Sequence, residues 1–285
     1  MTLSPATITA PKGALSPLVV DSPHSGRIYP ADFAYTCPPP LLRHTEDFLV
    51  DELIAGATSA GATTIAAEFP RSYIDVNRAE NDIDPAVLAE AWDAPLELTD
   101  RTALGLGLVR RLCMTGVPVY AAPLAIRDVK HRIETCYRPY HAALAEAMTQ
   151  RVKLFGAGYL IDCHSMPSRS QDDTTLSRAD FILGDRYGTS CDLSFTRIAN
   201  DRLHELGYSV ILNEPYKGME IVRRHGDPAT GRHALQIEIN RRLYMDERKL
   251  EKHDGFARLQ RDLTSFFEAL AAELIRKTPL PLAAE

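Results

Sequence analysis

The sequence predicts an α/β fold: a mixed, mostly parallel sheet flanked by helices on both faces, formed as one domain over residues 17–285. Three observations carry this expectation. Short apolar runs alternate with helical stripes along the whole chain. No Pro/Ser-rich linker and no internal repeat interrupts them. The length of 285 residues, with 45% hydrophobic and 25% charged side chains, suits one large soluble core.

The elements follow in order. The opening "MTLSPATITAPKGALSP" lacks a basic segment leading into an apolar one, so residues 1–16 read as a flexible leader and not a secretory signal. "PLVVD" (17–21) is a short strand, "PPPLLRHTEDFLVDELIAGA" is helical from Leu41, and "TTIAAEF" (63–69) is a second strand. Residues 80–105 mix acidic residues with turn formers without a clear period and read as a surface excursion. "VPVYAA" is a further strand. "HRIETCYRPYHAALAEAMTQRV" lines up Ile133, Cys136, Tyr137, Tyr140, Leu144, Ala147 and Met148 on a helical stripe. Pro139 within it marks a kink, or a helix start near Arg138. "GYLIDCH" (158–164), "ADFILGD" (179–185) and "YSVILNEP" are strands, with the helix "SFTRIANDRLHEL" stopped by Gly207. "RHALQIEINRRL" alternates as a strand does. The helix beginning "DERKLEKHDGFARLQ" closes the chain, broken near Asp254-Gly255 and stopped by Pro279.

Composition excludes several classes. The net charge of −6 gives no footprint for nucleic acid or an anionic membrane, and no apolar run approaches a membrane span. The five cysteines are widely spaced and contain no CxxC, which argues against a disulfide framework or a thiolate zinc site and for a reducing cytoplasm. Oligomeric state leaves no mark on the sequence.

Four stretches place reactive residues at or inside strands: "DSPHSGR", "RSYIDVNR", "IDCHS" and "LQIEIN". In the last, Glu238 shares a face with Gln236 and Asn240, opposite Leu235, Ile237 and Ile239. A carboxylate there must be solvated, paired or functional; an edge strand with one wet face is the plain alternative. His24 and His164 each follow an apolar strand, and a catalytic zinc site takes three protein ligands and an open position. "HTEDFLVDEL" offers His44, Glu46 and Asp47 as a third ligand. Cys163 and His164 point to opposite faces of a strand and do not form a nucleophile–base pair; Ser165 lacks a G-x-S-x-G elbow. Arg71, Arg78 and Arg223 offer bidentate recognition of a carboxylate, with Asp75 able to orient an arginine or to end the strand. Arg224 and Arg242 read as solvated surface.

These blocks, "DSPHSGRIYP", "EDFLVDEL", "SYIDVNR", "IDCHSMPS", "GTSCD", "NEPYKG" and "LQIEINRRLYMDE", run in order from about residue 18 to 250 and resemble the N-formylglutamate amidohydrolase family. The resemblance implies hydrolysis of N-formyl-L-glutamate to formate and L-glutamate, typically in histidine degradation, on a fold related to zinc carboxypeptidases. The same scaffold acting on another N-acyl amino acid or peptide-like substrate is the alternative. It further implies one Zn2+ per chain, or another divalent metal, held by His24, Asp47 and His164. Arg27 stands where the wider carboxypeptidase class has its ligand Glu, and Asp47 is preferred to Glu46 as the replacement. Glu238 is implied as general base, Arg71 as oxyanion stabiliser, and Asn77, Arg78 and Arg223 as the grip on a small anionic N-acyl amino acid.

Overall fold

The structure, a computed structural model, describes residues 4–114, 116–168 and 179–277. Its strands are β1 (Ala6–Thr9), β2 (Leu18–Ser22), β3 (Thr63–Ala67), β4 (Leu112–Met114), β5 (Val117–Pro118), β6 (Gly158–Met166), β7 (Phe181–Gly184), β8 (Val210–Leu212), β9 (Arg232–Asn240), β10 (Met245–Asp246) and β11 (Glu251–Lys252). Its helices are α1 (Pro39–Arg43), α2 (Val50–Leu53), α3 (Asp100–Ala103), α4 (Ile126–Arg132), α5 (Arg138–Phe155), α6 (Leu193–Glu205), α7 (Glu220–His225) and α8 (Gly255–Lys277). Seven strands form a mostly parallel sheet in the order β1-β3-β2-β6-β9-β7-β8. This is the α/β architecture that the strand–helix alternation predicts. Within the stretch read as a leader, residues 6–9 form β1. The expected helix stop at Pro279 lies outside the described residues.

Contacts gather the chain into two compact units, one of residues 1–7, 23–48 and 66–143, the other of residues 8–22, 49–65 and 144–285. In the second unit β2 runs parallel to β6, β6 parallel to β9, and β7 antiparallel to β9. β9 is therefore a central strand, and the edge-strand reading of Glu238 is overturned: it is only 8% exposed, and its neighbours Gln236 and Asn240 are buried too. On the opposite face of β9, Leu235, Ile237 and Ile239 are buried in line with His233, which stacks on Tyr159. α8 contributes Leu259, Leu263, Phe266, Phe267, Leu270 and Leu274, a stripe at helical spacing, to the core. It lies so close to the 3-10 turn at Ile54–Thr58 that a Cβ on Gly56 would overlap Thr264.

In the first unit two expectations change. The helix expected from Leu41 ends at Arg43, and the chain leaves helical geometry through residue 49. The Asp47 N–H is drawn to the His24 carbonyl (3.0 Å), and Leu49 takes a φ of 65°, which a helix does not allow. The excursion at 80–105 is tied down: Asp82, Ile83, Asp84, Val87, Leu88 and Thr102 are buried. The Asp82 carboxylate accepts from the Thr99 N–H (3.0 Å), the Thr99 hydroxyl (3.0 Å) and the Thr102 hydroxyl, which fixes the start of α3. Ile133–Tyr137 between α4 and α5 is a π turn, ahead of Pro139, which has no N–H to return to the preceding turn.

Candidate active site

His24 lies two residues past the end of β2, where the chain turns across a neighbouring backbone. The turn needs Gly26: a Cβ there would come within 2.1 Å of the Phe69 carbonyl oxygen. The Ile28 N–H bonds to the Glu68 carbonyl, while the Ser25 hydroxyl donates to the Asp47 carbonyl and the Asp47 N–H to the His24 carbonyl, so the loop carrying His24 and the loop carrying Asp47 are tied together. His24 is fully buried, with Nε2 2.7 Å from Asp75 Oδ1 and Nδ1 3.3 Å from Asp47 Oδ2. Burial, and then the Arg71 charge, push its imidazole below the ordinary value, so the ring is neutral. A neutral ring has one N–H. The shorter contact to Asp75 takes it, which leaves the Nδ1 lone pair facing the Asp47 carboxylate with no proton between them. Such an arrangement suits a cation.

Asp75 is the hub of this unit. It accepts from Arg71 Nε and Nη2 (3.2 and 2.8 Å) and from the Asn77 N–H (3.0 Å), and Arg110 Nη2 stands 3.7 Å from it. Burial alone would raise its carboxyl; Arg71, His24 and Arg78 outweigh burial and hold it well below the usual carboxylate range. Arg78 is buried, giving Nε to the Leu106 carbonyl (3.0 Å) and Nη1 to the Asn77 carbonyl (2.8 Å). Glu46 is occupied elsewhere, accepting from the Tyr29 hydroxyl and from Arg43 Nε (3.0 Å), and burial raises it to about 7.

In the second unit, parallel pairing sets His164 of β6 directly beside Glu238 of β9, and Asp162 beside Gln236. Partners in register share a sheet face, so these four polar side chains form one buried patch. His164 Nε2 is 2.8 Å from Asp162 Oδ1, an ion-pair contact, and the Asp162 carboxylate makes no hydrogen bond among the described residues. Gln236 Nε2 donates to Glu238 Oε1 (3.0 Å), while Gln236 Oε1 accepts the Met219 N–H (3.2 Å). Burial raises Cys163 well above its ordinary range, so it is a thiol and not a thiolate nucleophile. Ser165 accepts from Arg241 Nε at 3.0 Å.

Among the described residues, His24, Asp47 and His164 form a buried group that can hold a metal ion: each offers one ligand atom, and the three atoms lie within 4.8 Å of one another. Two imidazoles and a carboxylate are a donor set that zinc accepts, with a fourth position left for water or substrate. Of the other residues singled out in the sequence, Arg71, Asn77 and Arg78 gather at Asp75. Arg223 belongs to the second unit, where its side chain is 55% exposed and both Nε and Nη2 donate to Glu220 (2.6 and 2.9 Å). Sequence reasoning missed Arg110, which lies in "GLVRR" with no periodicity to mark it. It noted Gln236 only as a face-mate of Glu238, although that shared face was the available signal.

The sequence profile of the N-formylglutamate amidohydrolase family matches residues 16–245. The chain is 31% identical over 235 residues to an N-formylglutamate deformylase of Pseudomonas putida, covering 81% of this chain and 82% of that one. It is 32% identical over 236 residues to the deformylase of Pseudomonas aeruginosa strain PAO1, covering 81% and 83%. Among solved structures, an N-formylglutamate amidohydrolase from Ralstonia eutropha JMP134 is similar with a TM-score of 0.93 and 43% identity, over 97% of this chain and all of that one.

Proposed function

Because this chain belongs to the N-formylglutamate amidohydrolase family, we propose that it is a metal-dependent deformylase that hydrolyses N-formyl-L-glutamate to formate and L-glutamate. The observation that carries this reading is the buried His24–Asp47–His164 group, with Glu238 beside His164 across the β6–β9 ladder. His24, Asp47 and His164 would hold one Zn2+. When bound, the ion supplies Lewis-acid polarisation of the formyl carbonyl and lowers the pKa of water at the site.

The chain's own residues do the rest. Glu238 takes a proton from the attacking water as its oxygen bonds to the formyl carbon. It then delivers that proton to the amide nitrogen as the C–N bond breaks, so formate and a free amino group result. Gln236 supports this role by holding one carboxylate oxygen. Arg71, which is 15% exposed at its side chain, would face the developing oxyanion, and Asn77 with Arg78 would grip a substrate carboxylate. Asp75 fixes His24 so that Nδ1, and not Nε2, is left for the metal.

Formate release tests the reading. Zinc-reconstituted protein is expected to bind about one metal per chain and to release formate from N-formyl-L-glutamate faster than from N-acetyl-L-glutamate and from neutral N-formyl amino acids. Glu238→Gln should retain the metal and lose turnover by roughly 10²-fold or more. A fully active Glu238→Gln would remove Glu238 from the base role, and preference for another acyl amino acid would move the substrate assignment.

A further inference from the structure

We infer that Arg110 reads a second carboxylate of the substrate, beside the one gripped by Asn77 and Arg78; the inference rests on the deformylase reading. The backbone places Arg110 with care. The Asp75 N–H bonds to the Leu108 carbonyl (2.8 Å), the Leu108 N–H bonds to the Asp82 carbonyl (2.7 Å), and Arg78 Nε reaches the Leu106 carbonyl (3.0 Å). Three bonds therefore lace residues 106–108 onto the segment 75–82, and Arg110 is delivered to Asp75 two residues later.

Once there, its guanidinium has little to hold. Arg110 is 6% exposed, and among the described residues it makes no hydrogen bond; its Nε is buried without a partner. Its ion-pair partner among the described residues is Asp75 at 3.7 Å, beyond hydrogen-bond reach, and that carboxylate already serves His24, Arg71 and the Asn77 N–H. Burial and the Arg71 charge bring Arg110 down to about 9, the mark of a cation short of anions. Arg78 lies under the same strain from burial and Arg71. Three guanidinium groups thus crowd Asp75, with Asp47 acting on Arg110 and Asp82 on Arg78 only as more distant charges.

A structural arginine in the same unit looks different. Arg132 also has a buried, unpartnered Nε, yet it stacks on Phe33, Tyr73 and Tyr120 and donates to the Tyr73 carbonyl (3.0 Å) and the Tyr120 hydroxyl (2.6 Å). Arg110 has no such bonds. A buried guanidinium with neither hydrogen bonds nor aromatic faces is costly, and a ligand carboxylate is a partner that would satisfy it. Arg71 spends Nε and Nη2 on Asp75, and Arg78 spends Nε and Nη1 on backbone carbonyls, so Arg110 is the guanidinium with an undrawn fork. A dicarboxylic N-acyl amino acid brings one carboxylate more than a neutral one, and that carboxylate supplies the missing charge.

The test is calorimetric binding of glutarate and of butyrate to the zinc-loaded full chain, alongside formate release. Wild type should bind glutarate more tightly than butyrate. Arg110→Met should weaken glutarate by roughly 10- to 100-fold, the size of a lost charge-assisted pair, and leave butyrate within about threefold. Arg110→Lys keeps the charge beside Asp75 without the planar fork; it should stay folded and lose roughly tenfold on glutarate alone. If Arg110→Met does not fold, the lysine variant decides. Equal losses for both ligands, no loss for glutarate, or a wild type without preference for glutarate overturns the inference. A wild type that releases no formate but loses its glutarate preference in Arg110→Met would sink the deformylase reading and leave Arg110 standing.

Discussion

At the scale of single residues, Asp75 links more of its unit's site residues than its place in the sequence suggests. It accepts a hydrogen bond from the His24 Nε2–H, neutralises part of the Arg71 and Arg110 charge, and accepts the Asn77 N–H. Asp75→Asn keeps the shape and removes the charge. The ring of His24 then loses the partner that fixes its tautomer, and metal affinity should fall by roughly 10- to 100-fold, the cost typical of losing an orienting carboxylate. Competition with a chromogenic chelator measures this; unchanged affinity would show that Asp75 serves the arginines alone. Asp75 was visible in the sequence only as a residue that orients an arginine or ends a strand. Its bond to His24 spans 51 positions, and local patterns carry no trace of such a pairing.

At the scale of elements, legibility followed periodicity. The alternation in "LQIEIN" told which side chains share a face, and β9 keeps that division with every residue from His233 to Asn240 buried. What alternation could not tell was the place of the strand in the sheet, because a polar face reads the same at a wet edge and over a buried site. Register resolved it by putting Glu238 next to His164. The segment 44–49 failed for the opposite reason: its helical composition is genuine, but the bond from the Asp47 N–H to His24 overrides it. The element-level prediction concerns β9. Gln236 couples the Glu238 carboxylate to the Met219 N–H at the start of α7. Gln236→Leu should lower kcat roughly tenfold with KM little changed, since one hydrogen bond to a charged group is removed. In a Glu238→Gln background the same change should cost almost nothing further, because interacting residues do not add. Full additivity would reduce Gln236 to a packing role.

For the whole molecule, stability against acid follows from groups buried in one protonation state. His225 at the end of α7 is 5% exposed. Burial, reinforced by the Arg224 and Arg232 charges, pushes it down to about 3 from 6.5. The folded protein therefore keeps this imidazole neutral where the unfolded chain would protonate it. The sign follows: the contribution is fully present above pH 6.5 and is lost as the pH falls from 6.5 toward 3, because the unfolded state binds the extra proton. Each pH unit in that window costs up to about 1.4 kcal/mol, or about 3 kcal/mol by pH 4. His225→Gln has no proton to take up. Denaturant midpoints at steps from pH 7 to pH 4 should show the wild type losing more stability than the variant, with the gap opening below pH 6.5. Carboxylates titrate equally in both proteins and cancel in the difference. Parallel curves would mean that His225 is charged in the folded state, and that the interior around α7 is wetter than its burial implies.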